Sequence, residues 1–195
     1  MAVAYRRFGL LKAFVQSILN QTADGWTLHV MHDGPDEEFD RIMEAYARED
    51  GRVRYSHTPV RHNDYGHTLR DEGLRAATGD YVLLTNGDNY YIPRAIEYLA
   101  GAVRQTDADA VIFDMIHSHE RPGGRPQAAY NFFETAYRRL SIDIGAAIVR
   151  RELAAAAGFR DKTHDADATY FEDVARVRNG ALGIAKIHRV MLVHN

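Results

Sequence analysis

Two polar clusters in this chain combine residue types that can bind ligands or metal ions. One is TNGDN at residues 85–89, which follows the apolar, strand-like run of residues 81–84. The other contains Asp33, which ends the alternating run of residues 26–32. In open α/β sheets, ligands bind beyond the carboxyl ends of the strands, so the acids and amides of both clusters are candidate binding groups. Asn, Gly and Asp are also ordinary turn residues, and plain turns are the alternative interpretation.

Helix-like and strand-like patterns alternate in the first half of the chain and can position these clusters. Apolar residues at helical spacing predict helices at 10–20, 36–48, 67–77 and 93–105, and short apolar runs predict strands at 1–5, 26–32, 52–56, 81–84 and 110–113. The alternation predicts an α/β fold with a mainly parallel central sheet flanked by helices. Gly73, inside the third helix, indicates a close approach of that helix to the sheet or to a ligand.

The second half of the chain is less regular. Asp114 is expected to end its strand, and clustered Gly and Pro predict a long surface loop at 117–127. Beyond it, the patterns predict a strand at 141–150, a short helix at 152–157, a charged loop at 161–167, a helix at 170–177 and a late strand at 183–193. No clear domain boundary is present, so the 195 residues suit a single domain.

Composition restricts the class of protein. The chain is 46% hydrophobic and 26% charged, which is typical of an ordinary globular protein. A net charge of −3 gives no electrostatic signature for nucleic acid. There is no cysteine, no signal-peptide pattern and no apolar run near the roughly 20 residues of a membrane span, so we expect a cytoplasmic protein without a membrane span.

Familiar nucleotide-binding motifs are absent: no GxGxxG follows the first strand, and no GxxxxGK[ST] occurs. Other short motifs follow one another along the chain: Tyr5-Arg6-Arg7-Phe8-Gly9, Ser17-Ile18-Leu19-Asn20-Gln21-Thr22, His32-Asp33-Gly34, Asn63 and Gly66 with Arg70-Asp71-Glu72-Gly73, Asn86-Gly87-Asp88, Gly158-Phe159, Phe171-Glu172-Asp173 and His194. In this order and spacing they resemble the family two glycosyltransferases, inverting enzymes of the GT-A fold that use nucleotide-activated sugars. The chain departs from the family at Arg6, Phe8 and Asn86, the last of which replaces the first Asp of the DxD motif.

The resemblance implies a single α/β domain of GT-A type with an irregular C-terminal, acceptor-side part. Residues 1–114 would form the nucleotide-sugar-binding half, and residues 115–195 the acceptor-side half with the catalytic base. The expected donor is a nucleotide sugar, a UDP-sugar first of all, and the acceptor is an unidentified sugar, glycan or small molecule. By the same resemblance, the donor-binding residues are Tyr5, Arg7, Asp33, Arg70, Asn86 and Asp88.

The resemblance also implies a divalent cation, Mn²⁺ or Mg²⁺, that neutralises charge on the departing diphosphate. Asp88 is then the first metal ligand, with Asn86 and His194 as further ligands. A carboxylate is needed as general base for the acceptor hydroxyl.

The Glu-Asp motif implies that Glu172 and Asp173 are catalytic, with Asp173 as the base, and the nearby Asp165 and Asp167 stay open as alternatives. A second hypothesis is a catalytically silent nucleotide-sugar-binding or interaction module of the same fold, and a third is a nucleotidyltransferase.

Overall fold

Ten strands and six α-helices make up the fold, and the structure, a computed structural model, describes residues 1–195. In chain order they are β1 (Ala2–Ala4), α1 (Phe8–Leu19), β2 (Leu28–His32), α2 (Glu37–Glu49), β3 (Val53–His57), α3 (His67–Ala76), β4 (Tyr81–Val82), β5 (Thr85–Asn86), β6 (Tyr90–Tyr91), α4 (Ala95–Thr106), β7 (Ala110–His117), β8 (Asn131–Phe133), β9 (Ala147–Arg150), α5 (Arg151–Ala157), α6 (Ala166–Val177) and β10 (Ile184–His194).

The strands form two sheets. The first is parallel throughout and has the order β3-β2-β1-β5. The second has the order β4-β9-β7-β10-β6, with β8 paired to β7, and its only parallel pair is β7 with β10. A parallel sheet flanked by helices and joined to a mixed C-terminal part confirms the predicted α/β architecture.

The segment 81–91 crosses between the two sheets. β4 pairs with β9 in the second sheet, β5 pairs with β1 in the first, and β6 returns to β10 in the second. The prediction of one strand over 81–84 was therefore wrong. Two short strands lie here because the three-residue β1 offers partners only to Thr85 and Asn86, whereas Tyr81 and Val82 find theirs on β9.

The helices of the first half bury the faces that the sequence patterns predict. Asp36 accepts hydrogen bonds of 3.0 Å from the backbone N–H groups of Glu38 and Phe39, and so caps α2. Phe39 and Met43 on the inner face of α2 are fully buried. A Cβ atom on Gly73 would lie 2.7 Å from the side chain of Met1, which confirms the close approach of α3 to the first strand. None of the helices combines the length and apolar character that a membrane crossing requires.

Several elements of the second half differ from the predictions. β7 runs past the buried Asp114 to His117, because residues 115–117 pair with both β8 and β10. The Asp114 carboxylate accepts a hydrogen bond from the Thr135 backbone N–H and forms an ion pair with Lys186. The strand predicted at 141–150 begins only at Ala147, after a short 3-10 turn, and β8 was not predicted. The helix predicted at 170–177 begins at Ala166, so the end of the charged loop predicted at 161–167 is helical.

Candidate functional site

A cavity of about 370 Å³ lies where the parallel strands of the first sheet end. The chain leaving β1 contributes residues 5–7, the end of β2 contributes Asp33, and the turn after β5 contributes residues 86–88. The loop between β3 and α3 closes the other side with residues from 61 to 66. Both polar clusters identified in the sequence therefore line one cavity, at the sheet edge where α/β proteins bind ligands.

Asp33 holds the loop wall of the cavity in place. Its carboxylate is buried and accepts hydrogen bonds from the backbone N–H groups of His62, at 2.7 Å, and Asn63, at 2.9 Å. The guanidinium of Arg61 lies 3.9 Å from this carboxylate and 3.9 Å from the ring centroid of Tyr5. The Tyr5 ring also stacks on His32. Tyr5 and Asp33 thus form a preformed polar and aromatic wall.

Asn86 is bound to a buried arginine. Arg70 is 3% exposed and donates a 2.5 Å hydrogen bond from Nη2 to the amide oxygen of Asn86. Its Nη1 donates to the Tyr65 carbonyl at 2.7 Å and lies 3.0 Å from Nδ1 of His67. Burial lowers the pKa of Arg70, while Asp167, Asp143 and Asp64 oppose that change. Arg70 is thus fixed by the fold and reaches the cavity through Asn86.

Asp88 is the least satisfied acid of the cavity. Its Oδ2 accepts a 2.9 Å hydrogen bond from Nη1 of Arg7, whose side chain is 63% exposed. Its Oδ1 is buried and has no hydrogen-bond partner. The backbone carbonyl of Asp88 accepts from the amide of Asn195, which fixes the turn to the end of β10.

The first turn of α6 brings a second carboxylate, Asp167, to the charges around Arg70. Burial raises the pKa of Asp167 to about 6, the Arg70 guanidinium opposes that rise and the Asp143 carboxylate reinforces it. Asp143 itself precedes a 3-10 turn and accepts a 2.8 Å hydrogen bond from the Gly145 backbone. A carboxyl group with a pKa near neutrality has the ionisation that a general base requires.

His194 lies beside this acidic pair at the end of β10. Its Nε2 is 3.6 Å from Oδ2 of Asp143, and its Nδ1 is 3.2 Å from the hydroxyl of Ser118. Its ring stacks on that of His117 with 4.4 Å between centroids. The imidazole is buried, and both of its nitrogens already have polar neighbours.

Asp173 and Glu172 lie elsewhere on α6. Asp173 accepts a 2.6 Å hydrogen bond from Arg160 and a second one from Arg176, and the Arg160 guanidinium holds the pKa of Asp173 below its usual range. Glu172 pairs with Arg139 at 2.9 Å. Six residues of helix rotate the chain roughly 240° beyond one full turn, so Asp167 and Asp173 occupy different faces.

A family model described as "Glycosyl transferase family 2" matches residues 2–160 of this chain. The chain belongs to this family. Among curated proteins, it is 29% identical over 110 residues to glycosyltransferase GlyG of Streptococcus pneumoniae, a match covering 56% of this chain and 36% of that protein.

Solved structures share the fold of this family 2 chain. One of S. aureus TarS 1-349 in complex with UDP-GlcNAc superposes with a TM-score of 0.75 at 15% identity, covering 99% of this chain and 58% of that one. The mannosyltransferase PcManGT from Pyrobaculum calidifontis, in complex with GDP-Man and Mn²⁺, gives 0.70 at 16% identity, covering 99% and 55%. These likenesses confirm the GT-A type of fold, and this chain spans only part of the length of each relative.

In this family 2 chain the structure groups most of the predicted donor residues. Tyr5, Arg7, Asp33, Asn86 and Asp88 line the cavity, and Arg70 joins it through Asn86.

Sequence reasoning missed Asp143, although the spacing Asp-x-Gly before a turn is a recognisable signal for a capping carboxylate. It also missed Arg61, because the loop that carries it has no local pattern.

The residues around Asp88 fit a divalent cation that takes only one or two of its ligands from the protein. No three His, Cys, Asp or Glu side chains converge as a preformed metal cluster. Magnesium sites beside phosphates need only one or two protein carboxylates, with phosphate and water filling the other positions. The buried, unpartnered Oδ1 of Asp88 offers such an oxygen. The amide oxygen of Asn86 already accepts from Arg70.

Proposed function

We propose that this chain transfers a sugar, with inversion, from a nucleoside diphosphate donor to an acceptor hydroxyl. The observation that carries the proposal is the link, through Asn86 and the buried Arg70, between the cavity that contains Asp88 and the carboxylate of Asp167. Asp88, in the cavity, has a bare oxygen, and Asp167, beyond Arg70, has a raised pKa. The first suits a cation and the second suits a base.

The proposed donor lies in the cavity of the first sheet, and a UDP-sugar is the first candidate. The wall formed by Tyr5 and Asp33 would hold the nucleoside, and the guanidinium groups of Arg6 and Arg7 would meet the diphosphate. Support comes from the related folds, because the TarS structure holds UDP-GlcNAc and the PcManGT structure holds GDP-Man.

Mn²⁺ or Mg²⁺ is the proposed cofactor, with Asp88 as its protein carboxylate. When bound, the cation would neutralise charge on the leaving diphosphate as a Lewis acid. Asn86 and His194 already have polar partners, so we assign them to positioning other residues and not to binding the cation. Asn86 would hold Arg70 at the end of β5, and His194 would hold Asp143 beside the base.

Asp167 is the proposed general base, in preference to Asp173. As a carboxylate it would take the proton of the acceptor hydroxyl while that oxygen attacks the anomeric carbon and the bond to the diphosphate breaks. Asp173 is held by two arginines that lower its pKa, so it is a weaker base, and Glu172 is bound to Arg139. Residues 1–114 would then bind the donor, and residues 115–195 would supply the base and the acceptor side.

One assay tests this proposal. Purified chain with Mn²⁺ is given a panel of UDP- and GDP-sugars, and release of the nucleoside diphosphate is measured with and without sugar acceptors. Turnover that disappears in Asp88→Ala and Asp167→Asn supports the transferase. Thermal shifts that show donor binding without any turnover, hydrolysis included, would support the alternative function, a catalytically silent module of the same fold. The replacement of the first DxD acid by Asn86 is the observation that favours this alternative.

A further inference from the structure

We propose that Arg7 and a divalent cation compete for the Asp88 carboxylate, and that a diphosphate resolves the competition by binding Arg7. The part concerning the diphosphate rests on the proposed function. The part concerning the cation does not, because it depends only on the contacts of Asp88.

In the ion pair between Asp88 and Arg7, the carboxylate is held in place and the guanidinium is free to move. Asp88 is 18% exposed, and its turn is held by the amide of Asn195. Arg7 is 63% exposed, and its side chain makes no hydrogen bond except the one to Asp88. An exposed arginine can leave such a pair at little cost, since surface ion pairs contribute little to stability.

The backbone of Arg7 is anchored although its side chain is not. The residue has a left-handed φ of 50° at the start of α1, and its carbonyl accepts hydrogen bonds from the backbones of Leu10 and Leu11. Its side chain does not cap the helix. The guanidinium therefore pivots from a fixed point at the cavity rim, between Asp88 and the space where the donor would bind.

Asp88 is the acid of this cavity that remains available to a cation. The other, Asp33, already accepts two backbone hydrogen bonds and has Arg61 nearby. A divalent ion on Asp88 would repel a guanidinium within a few ångströms, and a bound diphosphate would attract both. Cation and diphosphate should then bind cooperatively, each raising the affinity for the other by the same factor.

Binding of Mn²⁺ alone tests the competition. Free Mn²⁺ is measured by its electron paramagnetic resonance signal during titration of wild type, Arg7→Gln and Lys12→Gln. Lys12 lies exposed on α1 and makes no ion pair, so its replacement changes the net charge equally. We expect Arg7→Gln to bind Mn²⁺ about five- to tenfold more tightly than wild type, the lower end of ordinary coupling, and Lys12→Gln to match wild type.

A second titration adds UDP at a saturating concentration. Wild type should gain affinity for Mn²⁺ on adding UDP, and Arg7→Gln should gain much less. In the Asp88→Asn background, Arg7→Gln should have no effect on Mn²⁺ binding, because the shared carboxylate is gone. If no variant responds to UDP, the proposed function fails while the titration with Mn²⁺ alone still decides the competition.

Equal or weaker Mn²⁺ binding by Arg7→Gln overturns the competition, as does an equal gain in Lys12→Gln. Absence of Mn²⁺ binding in every variant overturns it as well. Circular dichroism and thermal unfolding of each variant check that the fold is retained, so that a change in affinity reports on the site.

Discussion

The guanidinium of Arg70 donates a 2.5 Å hydrogen bond to the side-chain oxygen of Asn86 and thereby joins α3 to the end of β5. The same guanidinium is the cation that opposes the raised pKa of Asp167. One buried side chain therefore connects the cavity of the first sheet with the proposed base on α6. Its removal should change both stability and the ionisation of the base.

Arg70→Met tests this connection. The substitution leaves Asn86 and the Tyr65 carbonyl without their donor and removes a buried charge from its acidic neighbours, so the free energy of unfolding should fall by about 3 kcal/mol. The acid limb of the pH–rate profile should move to higher pH, because the cation that lowers the pKa of Asp167 is lost. Urea unfolding and a pH series measure the two effects.

Arg94→Met is the matched control for Arg70→Met. Arg94 pairs with Glu97 at the exposed start of α4, and exposed pairs contribute little to stability, so Arg94→Met should be much less destabilised than Arg70→Met. A pH profile that moves to lower pH in Arg70→Met would contradict the assignment of Arg70 as the cation that acts on the base.

Asp167→Asn and Asp173→Asn distinguish the two candidate bases. Loss of a general base typically lowers kcat by about 100- to 10,000-fold, and we expect this loss in Asp167→Asn. Asp173→Asn removes ion pairs with Arg160 and Arg176 and should lower stability by about 1 kcal/mol with kcat nearly retained. Steady-state kinetics with equal donor binding in both variants is the measurement. The reverse order of the two kcat losses would assign the base to Asp173.

The pH dependence of turnover follows from the raised pKa of Asp167. The group acts as a base only when ionised, so with a pKa of about 6 the rate should fall roughly tenfold for each unit of pH below 6. The effect on stability has the opposite sign. Between the ordinary value of 3.8 and about 6, the unfolded chain loses this proton before the native state does, so rising pH destabilises the fold through this group.

A comparison of unfolding free energies isolates that effect. In Asp167→Asn the group no longer titrates, so the stability of the variant relative to wild type should rise as pH increases from about 4 to 6 and stay level above it. A difference that stays constant across this range would show that Asp167 ionises normally.

Gly66→Ala and Gly101→Ala test whether the cavity wall depends on a glycine. Gly66 has a φ of +78°, and a Cβ atom there would lie 2.3 Å from Cγ1 of Val3, so alanine should lower stability by about 2 to 3 kcal/mol and weaken nucleotide binding. Gly101 lies in α4 with nothing within 4 Å of an added Cβ, so Gly101→Ala should raise the free energy of unfolding by roughly 0.5 to 1 kcal/mol. Urea unfolding of both variants checks the contrast, and an undisturbed Gly66→Ala would contradict the close packing on Val3.

Local patterns in the sequence were sufficient for the helices of the first half of the fold. The helical spacing of Phe39 and Met43, the cap at Asp36 and the interior Gly73 each predicted a feature that the structure has, because these signals act within one element or on its packing face. The order of short motifs likewise identified the family and grouped Asp33 with the turn at 86–88.

Strand pairing between distant segments decided the part of the fold that local sequence patterns did not predict. The segment 81–86 contributes to two sheets because its partners, β9 for Tyr81 and Val82 and β1 for Thr85 and Asn86, lie far apart in the chain, and no local pattern records them.

The sequence by itself determined the family, the α/β class and most of the polar residues that surround the cavity, since strand ends and motifs are local properties. Only the tertiary structure separated Asp167 from Asp173 and brought Asp143 and Arg70 to the same place. The physical reason is that the role of a carboxylate depends on its burial and on the charges beside it, and those neighbours come from distant segments of the chain.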